Sequence, residues 1–349
     1  KIDMQVKQTT VWLLEGQSSQ RDILLALKAA LPADVRLLAS HRKFRPEITD
    51  CADASWIEPK DANERVEWVL DMAITQGVNL VWAGRRGEVY EPHRARFEAA
   101  GVQLITGALS ITDLEDLDHK ANFALRCEQA GIPVASGWVI ETVDELAALI
   151  ERYRAQYALC IKPVHGIFGQ GFWRLVDDLD SFLCFLDPDT RRVNTVQFLA
   201  AYAQSTSDQI AKPMLLMPYL PGEEYSIDMV CENGVLIEAL ARFKQSDKTQ
   251  LILLSHDVIE LARRVVALFN CDGVVNMQTK ADDSGVHHVL EINARPSGGI
   301  GYTFHSGINL AVIAVFRRLG LAVPPMIGLP NVVVRPLTVS VPVTVPSLI

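Results

Sequence analysis

Residues 287–301, HHVLEINARPSGGIG, taken with VNMQTK at 275–280, constrain this chain more than any other stretch. Asp283-Ser284-Gly285 separates two β-rich runs and is a turn signal, so the runs make a hairpin. Gln278, Glu291 and Asn293 then become neighbouring oxygen ligands, and Glu291 and Asn293 share a strand face because side chains repeat every two residues. Oxygen ligands suit a hard cation such as Mg²⁺, which keeps waters and completes its shell with substrate phosphates. Arg295 follows, placed to hold a second anion. A metal, an anion clamp and a glycine-rich turn on one short segment point to phosphoryl transfer.

The rest of the chain narrows the class. Its 349 residues suffice for two or three modules, and 49% hydrophobic with 21% charged residues is an ordinary globular balance. A formal net charge of -9 argues against a general nucleic-acid binder. No apolar run reaches the ~20 residues of a membrane span, and no signal-peptide core opens the chain. The cysteines (Cys51, Cys127, Cys160, Cys184, Cys231, Cys271) form no CxxC pair, which favours reduced thiols in a cytoplasmic protein over disulfides or a zinc site.

The first third alternates strand and helix. Apolar runs at 10–14, 35–39, 80–83 and 102–105 read as buried parallel strands, and 20–30, 63–75 and 92–100 carry helical spacing. Such alternation predicts a doubly wound α/β domain over 1–115. Gly16-Gln17-Ser18-Ser19 follows the first strand. An anion-facing turn and a plain strand-to-helix turn capped by serine are both open readings there. Arg85, Arg86 and Glu88 lie past a strand's C-terminal end, where open α/β sheets bind ligands.

From Asp113 the pattern changes. Asp118-His119-Lys120 opens a helix that Gly131-Ile132-Pro133 stops. A strand (134–140), a helix (143–157) and a strand (158–163) follow. A glycine-bearing loop at 165–171 then leads into a strand at 172–176, and its backbone N–H groups can approach phosphate closely. Lys162, in an apolar strand, is costly to bury without an anion, though a snorkelling surface lysine is the plainer alternative. Farther on, Asn233-Gly234 joins two strands, and Arg242 and Lys244 stand two apart on the second, able to face one anion. A helix at 256–269 precedes the hairpin at 275–293, and a closing amphipathic helix spans 309–319. Residues 332–349 read as an edge strand and an extended tail. His287 and His288 point to opposite faces and cannot chelate together, and Trp82 and Trp138 read as core. Tyr302, Phe304 and Ser306 are candidates for shaping an acceptor pocket.

In this order the segments DHKANFALRCEQAGIPVA, CIKPVHGIFGQGF, LLMPYLPGEEYSIDMV, GVVNMQTK and LEINARPSGGIG resemble the ATP-grasp superfamily of ATP-dependent ligases. The resemblance is motif-specific from Asp118 to Gly307. It implies a fold of a pre-ATP-grasp α/β domain (1–115), a small domain with a mobile lid (116–212), a larger C-terminal α+β domain (213–330) and a tail (331–349). It also implies that Lys120 and Lys162 hold ATP phosphates beneath a loop containing Gly166, Gly169 and Gly171. Met217, Tyr219 and Leu220 would form the segment reading adenine, and Glu224 would accept the ribose hydroxyls. Gln278, Glu291 and Asn293 match the magnesium positions, for one ion or two. Arg295 matches the arginine that steadies the transferring phosphate, with Arg242 or Lys244 as a further phosphate contact. Two departures stand out. Gln278 replaces the more usual Glu, and Met217 offers no acidic side chain to the adenine amino group.

The implied chemistry is phosphorylation of a small-molecule carboxylate by ATP to an acyl phosphate, followed by displacement with an amine, releasing ADP and phosphate. Bicarbonate activation, as in carboxylases and carbamoyl-phosphate synthetases, is one alternative, and a non-catalytic ATP-binding protein is the other. The Lys120, Lys162, Glu291, Asn293 and Arg295 set favours an enzyme, since a sensor needs no anion clamp at the transfer point. No nucleic-acid or membrane partner is expected, and family habit implies a homodimer.

Overall fold

A computed structural model describes residues 8–165, 169–207 and 212–345. The chain divides into two compact units: 1–115 with 224–278 and 292–349, and 116–223 with 279–291.

In the first unit, β1 (Thr9–Leu13), β2 (Val35–His41), β3 (Ala54–Ile57), β4 (Leu80–Trp82) and β5 (Gln103–Ile105) form a parallel sheet in the order β3-β2-β1-β4-β5. Both faces are covered, which is why its central strands are apolar runs without alternation. On one face pack Val66, Val69 and Phe97 from helices Ala62–Thr75 and Arg94–Ala99. On the other, Ile23, Leu24 and Leu27 of helix Gln20–Ala30 share a core with the closing helix Leu310–Arg318. That closing helix carries seven buried side chains, so it is amphipathic in sequence only at its C-terminal end. β3 went unseen in the sequence, being four residues long and half exposed. β6 (Gly107–Ala108) lies outside this sheet and pairs with β15 (Cys271–Ala281).

The second unit holds a sheet ordered β10-β9-β8-β11-β7. Its strands are β7 (Trp138–Ile140), β8 (Leu159–Pro163), β9 (Trp173–Val176), β10 (Arg192–Asn194) and β11 (Met214–Pro218). The run at 134–140 narrows to β7, because Ser136-Gly137 interrupts it after a single bridge from Val134 to Val289. Helix Val143–Tyr153 starts at a capping box between Thr142 and Glu145 and buries Leu146 and Ile150 against this sheet. Helices Ile111–Asp118 and Thr195–Ser207 had no counterpart in the sequence reading.

The remaining strands are β12 (Glu224–Glu232), β13 (Val235–Lys244), β14 (Gln250–Leu253), β15 (Cys271–Ala281), β16 (His287–Asn293) and β17 (Val332–Val334), in the order β16-β15-β12-β13-β14-β17. Asn233 and Gly234 both take positive φ (50° and 76°), the requirement of the tight turn whose twist matches a hairpin. β17 is an edge strand, as expected, and no regular element follows it among the described residues. No helix among the described residues is long and apolar enough to cross a membrane.

Candidate active site

In the second unit, β8 places Lys162 opposite Leu215 of β11. Burial pushes its ammonium below the ordinary lysine range, the Glu291 carboxylate pulls it back up, and Lys120 pushes it down again. Lys120 is the first residue of helix Lys120–Gln129, and its Nζ lies 3.4 Å from the carbonyl oxygen of Val164. A cation at a helix N-terminus opposes the helix dipole. Two lysines thus converge beside one carboxylate, a distribution that favours an added anion. His165 lies 3.4 Å from Asp118 and its ring is 4.8 Å from that of His119, at the mouth of the glycine loop. Gly169 and Gly171 have positive φ (63° and 75°), whereas Gly166 lies outside the described residues.

Met217 is buried with Ala135, Cys160, Val164 and Leu215, and Tyr219, Leu220 and Leu290 border the same apolar cluster. The Tyr219 ring lies under the Arg174 guanidinium (3.9 Å) and near the Lys280 ammonium (5.0 Å). Cation–π contacts of this kind fix an aromatic plane at the edge of a pocket. Arg174, Lys280 and Cys160 were missed in the sequence; only the two-residue spacing of Lys280 from Gln278 on β15 could have signalled one of them. Burial pushes the Cys160 thiol up to about 12, so it is a neutral wall, its Sγ 3.6 Å from the Met217 carbonyl oxygen.

In the first unit, Glu224 and Lys244 sit opposite one another at the ends of β12 and β13 and form an ion pair. Arg242 is different. It is 3% exposed and donates to Asp228 (2.7 Å), Gln250 (2.7 Å), Ser226 (2.8 Å) and Ser297 (3.0 Å). Asn276 and Ser297 complete the shell of Asp228 at 2.9 and 2.6 Å. The expectation that Arg242 and Lys244 face one common anion therefore fails. Each has its own protein carboxylate, and that of Arg242 is fully buried. Arg295 donates to the Asn293 side-chain oxygen at 3.2 Å. Ser306 is also fully buried, donating to the Thr303 carbonyl at 2.7 Å, so it shapes no pocket. Tyr302 and Phe304 pack against the core.

A cavity opens at the C-terminal ends of β1 and β4, lined by Gly16, Gln17, Trp82, Gly84, Arg85 and Arg295 among others. The turn before helix Gln20–Ala30 is not capped by serine: Ser19 Oγ donates to the Ser297 carbonyl at 2.9 Å. Gly84 (φ +63°) lets its turn close on β1, for a Cβ there would strike the Glu15 carbonyl oxygen, and Arg85 N donates to that oxygen at 3.0 Å. Burial works to raise the Glu15 carboxyl, but its ion pair with Arg42 and the nearby His41 and Arg85 outweigh it and hold the group below the ordinary range.

Residues 211–337 match the family model described as "ATP-grasp in the biosynthetic pathway with Ter operon". No curated protein sequence matches the chain. Among solved structures, N5-carboxyaminoimidazole synthetase from Staphylococcus aureus complexed with ADP superposes with a TM-score of 0.68 at 11% identity, over 93% of this chain and 81% of that one. A likeness at that identity shows the fold, and the family match itself covers residues 211–337 only. The L-amino acid ligase of Bacillus licheniformis (TM-score 0.63, 14% identity, 89% of this chain and 74% of that) has the same fold. So does the biotin carboxylase domain of Hydrogenobacter thermophilus 2-oxoglutarate carboxylase, in complex with MgADP, ADP and bicarbonate (0.64, 16%, 89% and 69%). The family match takes in Met217, Glu224, Gln278, Glu291, Asn293 and Arg295. Lys120, Lys162 and the cavity residues Gln17 and Arg85 lie outside it.

Proposed function

We propose that this chain is an ATP-dependent ligase that couples a small-molecule carboxylate to an amine through an acyl phosphate. The observation that carries the reading is Lys162, a cation whose charge burial disfavours, with Lys120 and Glu291 both near enough to act on it. Phosphate oxygens would stabilise that charge. In this reading a carboxylate oxygen attacks the γ-phosphorus of ATP, the bond to the β-phosphate oxygen breaks, and ADP leaves. The amine nitrogen then attacks the acyl carbon, phosphate departs and the nitrogen loses a proton.

The two lysines and Arg295 bind and orient the phosphates, and positioning with charge neutralisation supplies most of the acceleration. Met217, Tyr219 and Leu220 would receive the base, and Glu224 the ribose. Gln278, Glu291 and Asn293 offer one carboxylate and two amide oxygens, a set that suits Mg²⁺ completed by phosphate and water. Bound there, Mg²⁺ would supply charge neutralisation at the phosphates. Among the described residues no cluster of three or more His, Cys, Asp or Glu stands ready for a metal, so metal binding should depend on nucleotide.

The test is ADP release from MgATP across a panel of carboxylate and amine pairs. Release that needs both partners and is lost in Lys162→Ala supports the ligase. Release with bicarbonate alone would move the assignment to a carboxylating enzyme. Tight binding of a non-hydrolysable ATP analogue with no release under any pair would leave a nucleotide-binding protein.

A further inference from the structure

Three residues past the edge strand β17 the chain reads LTVSVPVTV, residues 337–345. Its odd-numbered positions are all Leu or Val and its even-numbered ones Thr, Ser or Pro, the period-two pattern of a strand with one apolar face. Pro336 and Pro342 press the residue before each toward extended backbone. Yet no strand forms here, and among the described residues none of 336–345 enters a backbone–backbone hydrogen bond. The apolar face is open as well: Leu337 is 80% exposed and Val339 74%, and Val343 and Val345 are exposed too. Residues 338–345 lie beyond the family match. A strand sequence with its backbone groups free is a template for pairing with another chain.

The prolines decide which edge can pair. Successive strand residues aim their N–H and C=O groups at opposite edges, so odd-numbered residues serve one edge and even-numbered residues the other. Pro336, Pro342 and Pro346 are all even-numbered, and every odd-numbered residue of 337–345 keeps its N–H. The segment can therefore build a ladder on one edge and blocks it on the other, which is where sheets tolerate proline. The sequence is also nearly symmetric about Val341: Val339 answers Val343, Thr338 answers Thr344, and Leu337 answers Val345. We propose that residues 337–345 pair antiparallel with the same segment of a second copy of this chain, about a two-fold axis at Val341. In that register each odd-numbered residue exchanges both backbone bonds with an odd-numbered residue opposite, and Pro342 faces outward. The aliphatic side chains of both copies then share one face. A two-stranded ribbon alone is marginal, and Ile327, Leu329 and Val333, exposed just upstream, give its apolar face a surface to cover. The dimer is closed, because proline on the outer edges discourages a third strand. None of this rests on the ligase reading.

The experiment is sedimentation equilibrium of the full chain, as wild type and as two variants that place proline on opposite edges. Wild type sediments as a dimer. Val339→Pro deletes an inner-edge N–H in each copy and raises the dissociation constant at least about tenfold, the effect of two lost hydrogen bonds. Ser340→Pro deletes an outer-edge N–H and leaves the constant within about threefold. Both variants keep the near-ultraviolet circular dichroism of the wild type, which shows that the body is folded. Oxidative cross-linking reads the register. Val341→Cys meets its own twin at about 5.5 Å between Cα atoms, within disulfide reach, and cross-links. Leu337→Cys is held roughly 27 Å from its twin and does not, yet it cross-links to Val345→Cys when the two variants are co-expressed. A wild type that stays monomeric, or one that grows past a dimer, overturns the proposal. So does a dimer that Val339→Pro leaves intact, equal weakening by both prolines, or Leu337→Cys joining its twin as readily as Val341→Cys does.

Discussion

Arg242 in the first unit and Lys162 in the second are both cations held away from water, and they are treated in opposite ways. Arg242 meets Asp228, Ser226, Gln250 and Ser297, and Asn276 and Ser297 finish what Asp228 needs. At Lys162 burial and the like charge of Lys120 work against the ammonium, and the Glu291 carboxylate works for it. A completed polar network is a framework. Under the proposed function, bound phosphate would be what stabilises the charge of Lys162.

The sharpest way to break this contrast is to truncate the framework. Arg242→Ala strands the fully buried Asp228 carboxylate and should cost roughly 3–5 kcal/mol in urea unfolding. Replacing Arg242 and Asp228 together by leucine should restore much of it, and a double variant as unstable as the single would refute the network account. Next, Lys162→Ala should lower ADP release by about 10²–10³-fold, the usual consequence of losing one electrostatic contact to a transition state. Its unfolding free energy should change by less than ~1 kcal/mol, since a disfavoured charge has gone. Equal losses of stability and turnover would erase the distinction.

Glu15 lies between the two cases, satisfied by Arg42 yet touching Arg85. Its folded-state pKa is depressed below 4.5, so it adds stability above that value and loses it as pH falls through the lower folded value. Glu15→Gln should lose roughly 1.5–3 kcal/mol at neutral pH and flatten the acid limb of the stability profile. An unchanged limb would place the acid sensitivity elsewhere. The smallest effect concerns Lys162 itself. Its ammonium releases its proton below the ordinary lysine range, and phosphate contact needs the charged form, so analogue affinity should weaken as pH rises through that point, by at most about tenfold per pH unit. Lys162→Arg should abolish this alkaline limb, since arginine stays charged.

Periodic and capped segments were legible in the sequence. Helix Gln20–Ala30, the Asn233-Gly234 turn, and helices Asp257–Leu268 and Leu310–Arg318 stand where spacing and turn chemistry put them. Illegible were elements whose reason is tertiary. β14 and β3 are four residues each, and helix Ile111–Asp118 abuts the next so closely that no stop signal parts them. In the site, the residue types and their order could be read, but satisfaction could not. Whether Arg242 is finished depends on Asp228 and Ser297, 14 and 55 positions away, and no local pattern reports that.

Gly84 and Gly87 each lie against a neighbouring strand end. A Cβ at the first would strike the Glu15 carbonyl oxygen, and at the second the Thr106 carbonyl oxygen. Between them stand only Arg85 and Arg86. The segment is therefore a two-position cassette with welded ends. Its middle can be rewritten without re-engineering the scaffold, and a library randomised at those two positions alone should retain folded members. A change at either glycine would instead be screened out as misfolded.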